Sequence, residues 1–212
     1  MFRSLFDPDS GFGRAMDLIL RLIILNVLWF VCSLPIVTLG ASTAALCSVL
    51  MKFREGEESH VARRFFAAWR QNWKRATGTW LILLVLLALF LFDLVFSNWM
   101  ESFLWKVIAV TGMQVVAMEY TFLYPLLARY ENTWRNHMCN ALRLGIGYFP
   151  RFVLIWLIWA GAIALTVYSP GMLHSMIAVW ALLGWSGLHY MNLRILRPVF
   201  DKLDNPDASE KE

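Results

Sequence analysis

Five polar side chains interrupt the long apolar segments of this chain, and their types could support chemistry. Arg21 and Asn26 lie in the first apolar segment, Glu119 in the fourth, and His189 and Asn192 near the end of the last. Ionisable groups inside a membrane span are costly, so they mark functional or pairing sites. Similar depth predicts an Arg21–Glu119 pair. Such a cluster would be either a structural clamp between helices or a site for a substrate or a proton.

The motifs of familiar enzyme sites are missing from the sequence. It contains no HExxH, no Walker sequence, no GxSxG and no clustered acidic pair. His137 and Cys139 are close in sequence, but two ligands on one connector are a weak metal signal. Cys32, Cys47 and Cys139 form no CxxC motif and imply no disulfide framework. We therefore predict no catalytic residue, no cofactor and no metal site, and we do not expect an enzyme.

The basic residues are segregated along the chain. All but one of the 19 Lys and Arg residues lie at the chain ends or in two connectors between apolar stretches, the exception being Lys106. Lys and Arg near the ends of membrane spans are retained on the cytoplasmic side. This segregation predicts a multi-pass membrane protein with both termini and both basic connectors in the cytoplasm.

The composition indicates the same class. Hydrophobic residues make up 59% of the chain and charged residues 16%, against roughly 45–50% and 25% in soluble domains. Eleven Trp and fifteen Phe residues suit the aromatic belts at membrane interfaces. Because the basic residues flank apolar segments, anionic lipid head groups are the expected counter-charge. We predict a lipid bilayer as partner and no nucleic acid.

Apolar stretches predict an all-α polytopic membrane helix bundle with about six helical segments in three hairpins. The hairpins are joined by amphipathic interfacial elbow helices. Residues 1–200 are predicted to form a single integral membrane domain, and residues 201–212 a short disordered acidic tail. The predicted segments are residues 18–34, 41–53, 77–96, 103–127, 152–168 and 173–193.

A helix break is predicted between the first two segments, at Ser33, Pro35, Thr38 and Gly40. Pro35 removes a backbone donor and disfavours helix in the residue before it, and Gly40 permits a turn. Residues 41–53 reach only about 20 Å, short of a hydrocarbon core of ~30 Å. They form either a re-entrant piece or the second helix of a hairpin. The charge balance favours a hairpin whose second helix is partly buried by its neighbours.

Two further stretches predict contact surfaces. Phe65, Trp69 and Trp73 recur every four residues beside Arg70 and Lys74, which predicts a helix lying in the membrane interface. The same stripe would also permit packing on a cytoplasmic partner. The small side chains of residues 40–45 predict an exposed helix face that a partner can approach closely.

Three sequence stretches carry a family resemblance. The chain resembles the YesL-like family of small bacterial integral membrane proteins, whose function is unknown. The resemblance covers nearly the whole chain, and its most specific part is the Ser-Leu-Pro segment. The stretches are Asn26-x-x-Trp29-x-x-x-Ser33-Leu-Pro35-x-x-Thr38-x-Gly40, residues 66–74 with Trp69 and Asn72-Trp73-Lys74, and Tyr124-Pro-Leu-Leu-Ala-Arg129-Tyr130.

The resemblance implies a plasma-membrane protein of carbohydrate-using bacteria, because the genes of such proteins often lie beside sugar-uptake systems. It supplies no catalytic residues. Two functions remain open at this point. One is an accessory or scaffold subunit that binds a carbohydrate ABC-transport complex or a second copy of the chain. The other is a small transporter acting as an oligomer, for which the broken segment is the supporting feature.

Overall fold

The computed structural model describes residues 11–53, 60–168 and 170–204. Every regular element among these residues is helical, which confirms the predicted all-α bundle. The elements are α1 (Gly11–Ser33), a 3₁₀ turn (Ile36–Thr38), α2 (Leu39–Lys52), α3 (Val61–Trp99), α4 (Phe103–Arg129), α5 (Trp134–Gly147), α6 (Phe149–Val167), α7 (Pro170–Val179), a π-helical turn (Trp180–Gly184) and α8 (Trp185–Asp204).

Four of the described helices, α1, α3, α4 and α6, are long and apolar enough to cross a membrane. They correspond to four of the six predicted segments. The second predicted segment is α2, which is apolar but has only 14 residues. The sixth is divided between α7, the π-helical turn and the first half of α8. These apolar helices are those of a multi-pass membrane protein.

Helix α2 lies at the centre of the bundle, where it packs against α1, α3, α4 and α8. A Cβ atom on Gly40 would overlap the Ala76 carbonyl oxygen and lie 2.5 Å from Trp80 Cβ, so glycine is needed for the close approach of α2 and α3. Residues 40–47 are all buried. The prediction that residues 40–45 form an exposed partner face is therefore wrong, because helices of this chain already cover them.

Helix α3 is continuous over 39 residues. At 1.5 Å per residue it is about 58 Å long, roughly twice the thickness of a ~30 Å hydrocarbon core. The first basic connector is thus not a separate elbow helix, which corrects the prediction. No proline interrupts the stretch, and the buried residues Phe65, Ala68, Ala76 and Thr79 keep it packed against the bundle along its length.

The second connector does contain a separate short helix, α5. Its buried residues are His137, Ala141 and Gly145, spaced four residues apart on one face. That face packs against α4, where a Cβ on Gly145 would lie 3.0 Å from Met118 Cβ. Helix α6 begins directly after it, with Tyr148 between them.

Tryptophan side chains tie the helices together through threonine hydroxyls. The indole N–H groups of four tryptophans donate to threonine Oγ1 atoms on other helices, at 2.8–3.2 Å, and each threonine hydroxyl donates to the carbonyl four residues before it. Both polar groups are thereby satisfied. These tryptophans link helices, although Trp134 and Trp156 are also exposed at the surface, so the interpretation of tryptophan as an interfacial belt residue is incomplete. The pairs are Trp29–Thr43, Trp134–Thr79, Trp156–Thr121 and Trp180–Thr166.

Helix α8 continues to Asp204. The predicted disordered tail therefore begins too early, because residues 201–204 are helical and Asp204 binds side chains of α4 and its cap. Residues 205–212 lie outside the described residues.

Candidate functional site

The side chain of Asn26 joins α1 to the π-helical turn. Its Nδ2 donates to the carbonyl oxygens of Trp180 at 3.0 Å and Ala181 at 2.8 Å, and its Oδ1 accepts from the N–H of Ser186 at 2.9 Å. A π turn displaces the regular helical hydrogen bonds, and backbone groups that lose their partner inside a membrane must be satisfied in another way. The Asn26 amide bonds to two carbonyl groups and one N–H group at this turn, so it has a structural role here.

His189 is enclosed by aromatic rings. Its Nδ1 lies 3.0 Å from the Trp185 carbonyl oxygen, and because a carbonyl can only accept, Nδ1 carries the proton. The Trp159 and Trp185 rings lie 5.5 Å from the imidazole, and the Tyr120 ring lies 6.4 Å from it. In the neutral ring Nε2 is then left as a hydrogen-bond acceptor.

Asn192 follows His189 by three residues, so both side chains lie on the same face of α8. The Asn192 Oδ1 accepts a hydrogen bond of 3.2 Å from Trp159 Nε1, which keeps both Nδ2 hydrogens available as donors. The two residues therefore present an acceptor and a donor on neighbouring positions of one helix.

A cavity of about 690 Å³ opens beside these two residues. We call it the α4–α6 groove, because its mouth lies between those helices, which touch through the Trp156–Thr121 hydrogen bond of 3.0 Å. His189, Asn192 and Gln114 contribute polar side chains to a wall that is otherwise mainly apolar. Six of its lining residues carry large aromatic rings: Trp80, Tyr120, Tyr124, Trp156, Trp159 and Trp185.

The predicted Arg21–Glu119 pair does not form in the described part of the chain. Arg21 makes an ion pair of 2.6 Å with Asp17, one turn earlier on α1. The Oε2 atom of Glu119 is buried without a hydrogen-bond partner among the described residues. The prediction used helix depth alone, and depth does not specify which face of each helix carries the side chain. Of the predicted cluster, only His189 and Asn192 meet in one cavity.

The helix break lies between α1 and α2. Helix α1 ends at Ser33, and Pro35 begins the turn with extended backbone angles. The Thr38 hydroxyl lies 2.6 Å from the Cys32 carbonyl oxygen and 2.8 Å from the Pro35 carbonyl oxygen. Trp80 Nε1 donates to the Ile36 carbonyl at 2.8 Å, which fastens the turn to α3. The break is thus a closed structural turn.

The aromatic stripe on α3 turns from the core toward the surface. Phe65 is fully buried among residues of α1 and α2, Trp69 is half-buried, and Trp73 is 41% exposed. Four residues advance a helix by about 40° beyond a full turn, so Phe65 and Trp73 point about 80° apart. The predicted single interfacial stripe is wrong at Phe65, because that ring belongs to the protein core.

A polar contact at the basic end of the bundle joins α8 to α4. The Tyr130 hydroxyl donates to Asp204 Oδ1 at 2.5 Å, and the Arg129 guanidinium binds Oδ2 of the same carboxylate. The hydrogen bond from Tyr130, assisted by Arg129, lowers the pKa of Asp204, while burial and the Asp204 contact raise the pKa of Tyr130 to about 12. The carboxylate is therefore held in its charged form, and it fixes the end of α8.

The possible metal ligands do not converge. His137 is buried on α5, where burial and the nearby Arg75 charge lower its pKa, whereas Cys139 is exposed. Among the described residues, no group of three or more His, Cys, Asp or Glu side chains is placed to hold a metal ion.

The aromatic wall of the groove was not predicted from the sequence. Trp80, Trp159 and Trp185 line it with Tyr120, although tryptophan was interpreted as an interfacial residue. One signal was available in the sequence: Trp156, Trp159 and Trp185 lie inside apolar segments rather than at their ends.

The apolar helices define a multi-pass helical membrane protein. Residues 22–94 match the family described as "Protein of unknown function, DUF624". This is the YesL-like family, so the resemblance found in the sequence is confirmed over that segment. The matched segment runs from α1 through the break and α2 into the apolar half of α3. No curated protein and no solved structure matches the chain.

Proposed function

We propose that this protein is an accessory or scaffold subunit of the bacterial plasma membrane, associated with carbohydrate uptake. Both termini and the two basic connectors lie in the cytoplasm, and the chain is not an enzyme. The proposal is supported mainly by the amino-terminal half of α3. This half is rich in basic residues, and the same helix continues from it directly into a membrane span.

This half of α3 has two different faces. Phe65 and Ala68 are buried against the bundle, which holds this half of the helix rigidly. Arg63, Phe66, Arg70 and Lys74 are exposed, and their spacing places them on one side of the helix. We call these four residues the basic α3 face. A rigid surface with an exposed aromatic ring among positive charges suits a partner with an acidic, partly apolar surface.

A small transporter acting as an oligomer is the second candidate. The α1–α2 break supports it, because interrupted helices can build substrate sites. However, the bonds of Thr38 and Trp80 close this break. The wall of the α4–α6 groove is also too apolar for a sugar, whose many hydroxyl groups would lose hydrogen bonds to water without replacement. The accessory role therefore agrees better with the geometry.

The test is a detergent pull-down of the tagged full chain from cells growing on a carbohydrate, followed by mass spectrometry. We expect components of a carbohydrate ABC transporter to be recovered with the wild type and lost with the triple variant Arg63→Glu, Arg70→Glu, Lys74→Glu. The control carries the same charge change at Arg135, Arg143 and Lys202, which are exposed on α5 and α8. It should keep the partners.

Two results would contradict this proposal. Retention of the same partners by the triple variant would show that the basic α3 face is not the docking surface. Sugar accumulation by the purified chain alone in liposomes would favour the transporter.

A further inference from the structure

The α4–α6 groove is elongated along the helices. Its lining residues run from Val110 to Pro125 on α4 and from Trp80 to Leu94 on α3, which corresponds to about 20 Å along each helix axis. These stretches lie inside the apolar segments of two candidate membrane spans. A groove of this length runs parallel to the acyl chains of the surrounding bilayer.

The groove is open on the outer side of the bundle. Gln114 and Trp156, on the two helices that flank its mouth, line the groove and are also exposed. The Trp156–Thr121 hydrogen bond holds α4 and α6 together beside this opening. A molecule dissolved in the bilayer therefore has lateral access without crossing an aqueous phase.

The wall favours an uncharged occupant. Among the described lining residues there is no Asp, Glu, Lys or Arg. A charged group placed there would lose its hydration without gaining a counter-ion. A chain-like apolar molecule would instead pack against leucine side chains and aromatic rings. The volume of about 690 Å³ lies within the range of ligand pockets, roughly 300–1,000 Å³.

The hydrogen-bonding pair described above lines the groove beside Tyr120 and Trp159. His189 offers an acceptor at Nε2, because its Nδ1–H group already donates a hydrogen bond to the Trp185 carbonyl oxygen. Asn192 offers donors at Nδ2, since its Oδ1 accepts from Trp159. A hydroxyl group is both a donor and an acceptor, so one hydroxyl can satisfy both residues.

We propose that the α4–α6 groove binds an uncharged lipid whose chain fills the groove and whose hydroxyl group bonds to His189 Nε2 and Asn192 Nδ2. The recognised chemistry is a long-chain alcohol or an acylglycerol with a free hydroxyl. This binding site is independent of the basic α3 face, so either proposal can fail without the other.

Native mass spectrometry of the purified full chain tests this site with two probes of equal chain length, oleyl alcohol and oleate. We expect one oleyl alcohol per chain, at an affinity at least tenfold above that of oleate. Ala117→Phe, which adds a ring at the groove wall, should abolish alcohol binding. Leu157→Phe on α6, at an exposed position outside the groove, is the matched control and should bind like the wild type.

A second variant covers the case in which Ala117→Phe does not fold. Asn192→Leu keeps the side-chain size but removes one of the two hydrogen bonds to the hydroxyl, so it should bind oleyl alcohol about tenfold more weakly than the wild type does, while its affinity for 1-octadecene should not change. The proposal is overturned if oleate binds as tightly as the alcohol to the wild type. It is also overturned if Asn192→Leu binds oleyl alcohol as tightly as the wild type does, or if all variants carry the same number of alcohols.

Discussion

Asn26 Oδ1 accepts a hydrogen bond of 2.9 Å from the backbone N–H of Ser186, and the Ser186 hydroxyl donates to the Leu22 carbonyl at 2.8 Å. Ser186 of α8 thus donates two hydrogen bonds to α1, to acceptors one turn apart on that helix. Both side chains are buried. With the two bonds from Asn26 Nδ2 to the π-helical turn, four hydrogen bonds hold α1 against that turn and α8.

The first prediction concerns this contact. Asn26→Ala leaves two carbonyls and one N–H without their partners in a low-dielectric interior, where each unsatisfied group costs about 1–3 kcal/mol. Interhelical bonds in membranes average only ~0.6 kcal/mol, so we expect a total loss of about 1–3 kcal/mol. Thermal unfolding in detergent measures it, with Asn136→Ala at an exposed site on α5 as control. Equal melting temperatures for the two variants would refute the assignment.

The second prediction concerns Gly40. Gly40→Ala should separate α2 from α3, because the new Cβ would overlap the Ala76 carbonyl oxygen of α3. Gly78 lies on the facing helix, and a Cβ atom added there would meet nothing within 4 Å, so Gly78→Ala should stabilise α3 by about 0.5–1 kcal/mol. Detergent melting curves should move in opposite directions for the two variants. A stabilising effect of Gly40→Ala would contradict the close contact.

Charge segregation and local breakers made much of the fold predictable. The basic residues marked the connectors, and Pro35 marked the interruption between α1 and α2. The continuity of α3 was not predictable, because an amphipathic stretch followed by an apolar one is equally consistent with two helices or one. The two stretches form one helix in which Phe65 and Ala76 are both buried against the rest of the bundle. This packing is visible only in the three-dimensional structure.

The candidate site was predictable only in its residue types. Asn26, His189 and Asn192 stood out as polar groups in apolar segments. Asn26 binds backbone groups of a π turn, and a backbone partner leaves no sequence signal. The Arg21–Glu119 pair was inferred from depth, whereas the rotation of each helix about its axis decides which charges meet. That rotation could not be predicted from the sequence.

The third prediction concerns orientation. Ala67 and Asn98 are both exposed on α3 and lie about 45 Å apart along one continuous helix. In a background without Cys32, Cys47 and Cys139, a cysteine at Ala67 should react with an impermeant maleimide only after permeabilisation. A cysteine at Asn98 should react in intact cells, since the basic end is cytoplasmic. The reverse pattern would contradict the proposed topology.

The fourth prediction concerns Arg21 and Glu119. Since Arg21 pairs with Asp17 and Glu119 has no hydrogen bond to it, the two residues should act independently. The stability losses of Arg21→Gln and Glu119→Gln should add within about 0.3–0.5 kcal/mol in the double variant. Melting curves of the three proteins in one detergent measure this. Rescue of one variant by the other, by more than about 1 kcal/mol, would restore the paired arrangement.

The last prediction concerns pH and the Asp204 contact. The hydrogen bond from Tyr130, with the Arg129 charge, lowers the folded-state pKa of Asp204 below its usual 3.8, so the contact stabilises the fold fully above that value. This contribution is lost as the pH falls through the lower folded-state pKa, because the protonated carboxyl no longer pairs with Arg129. Tyr130→Phe should lower the melting temperature at pH 7 and reduce the further loss as the pH falls below 3.8. Parallel pH profiles for the wild type and Tyr130→Phe would show that the Tyr130 hydroxyl does not hold Asp204 charged.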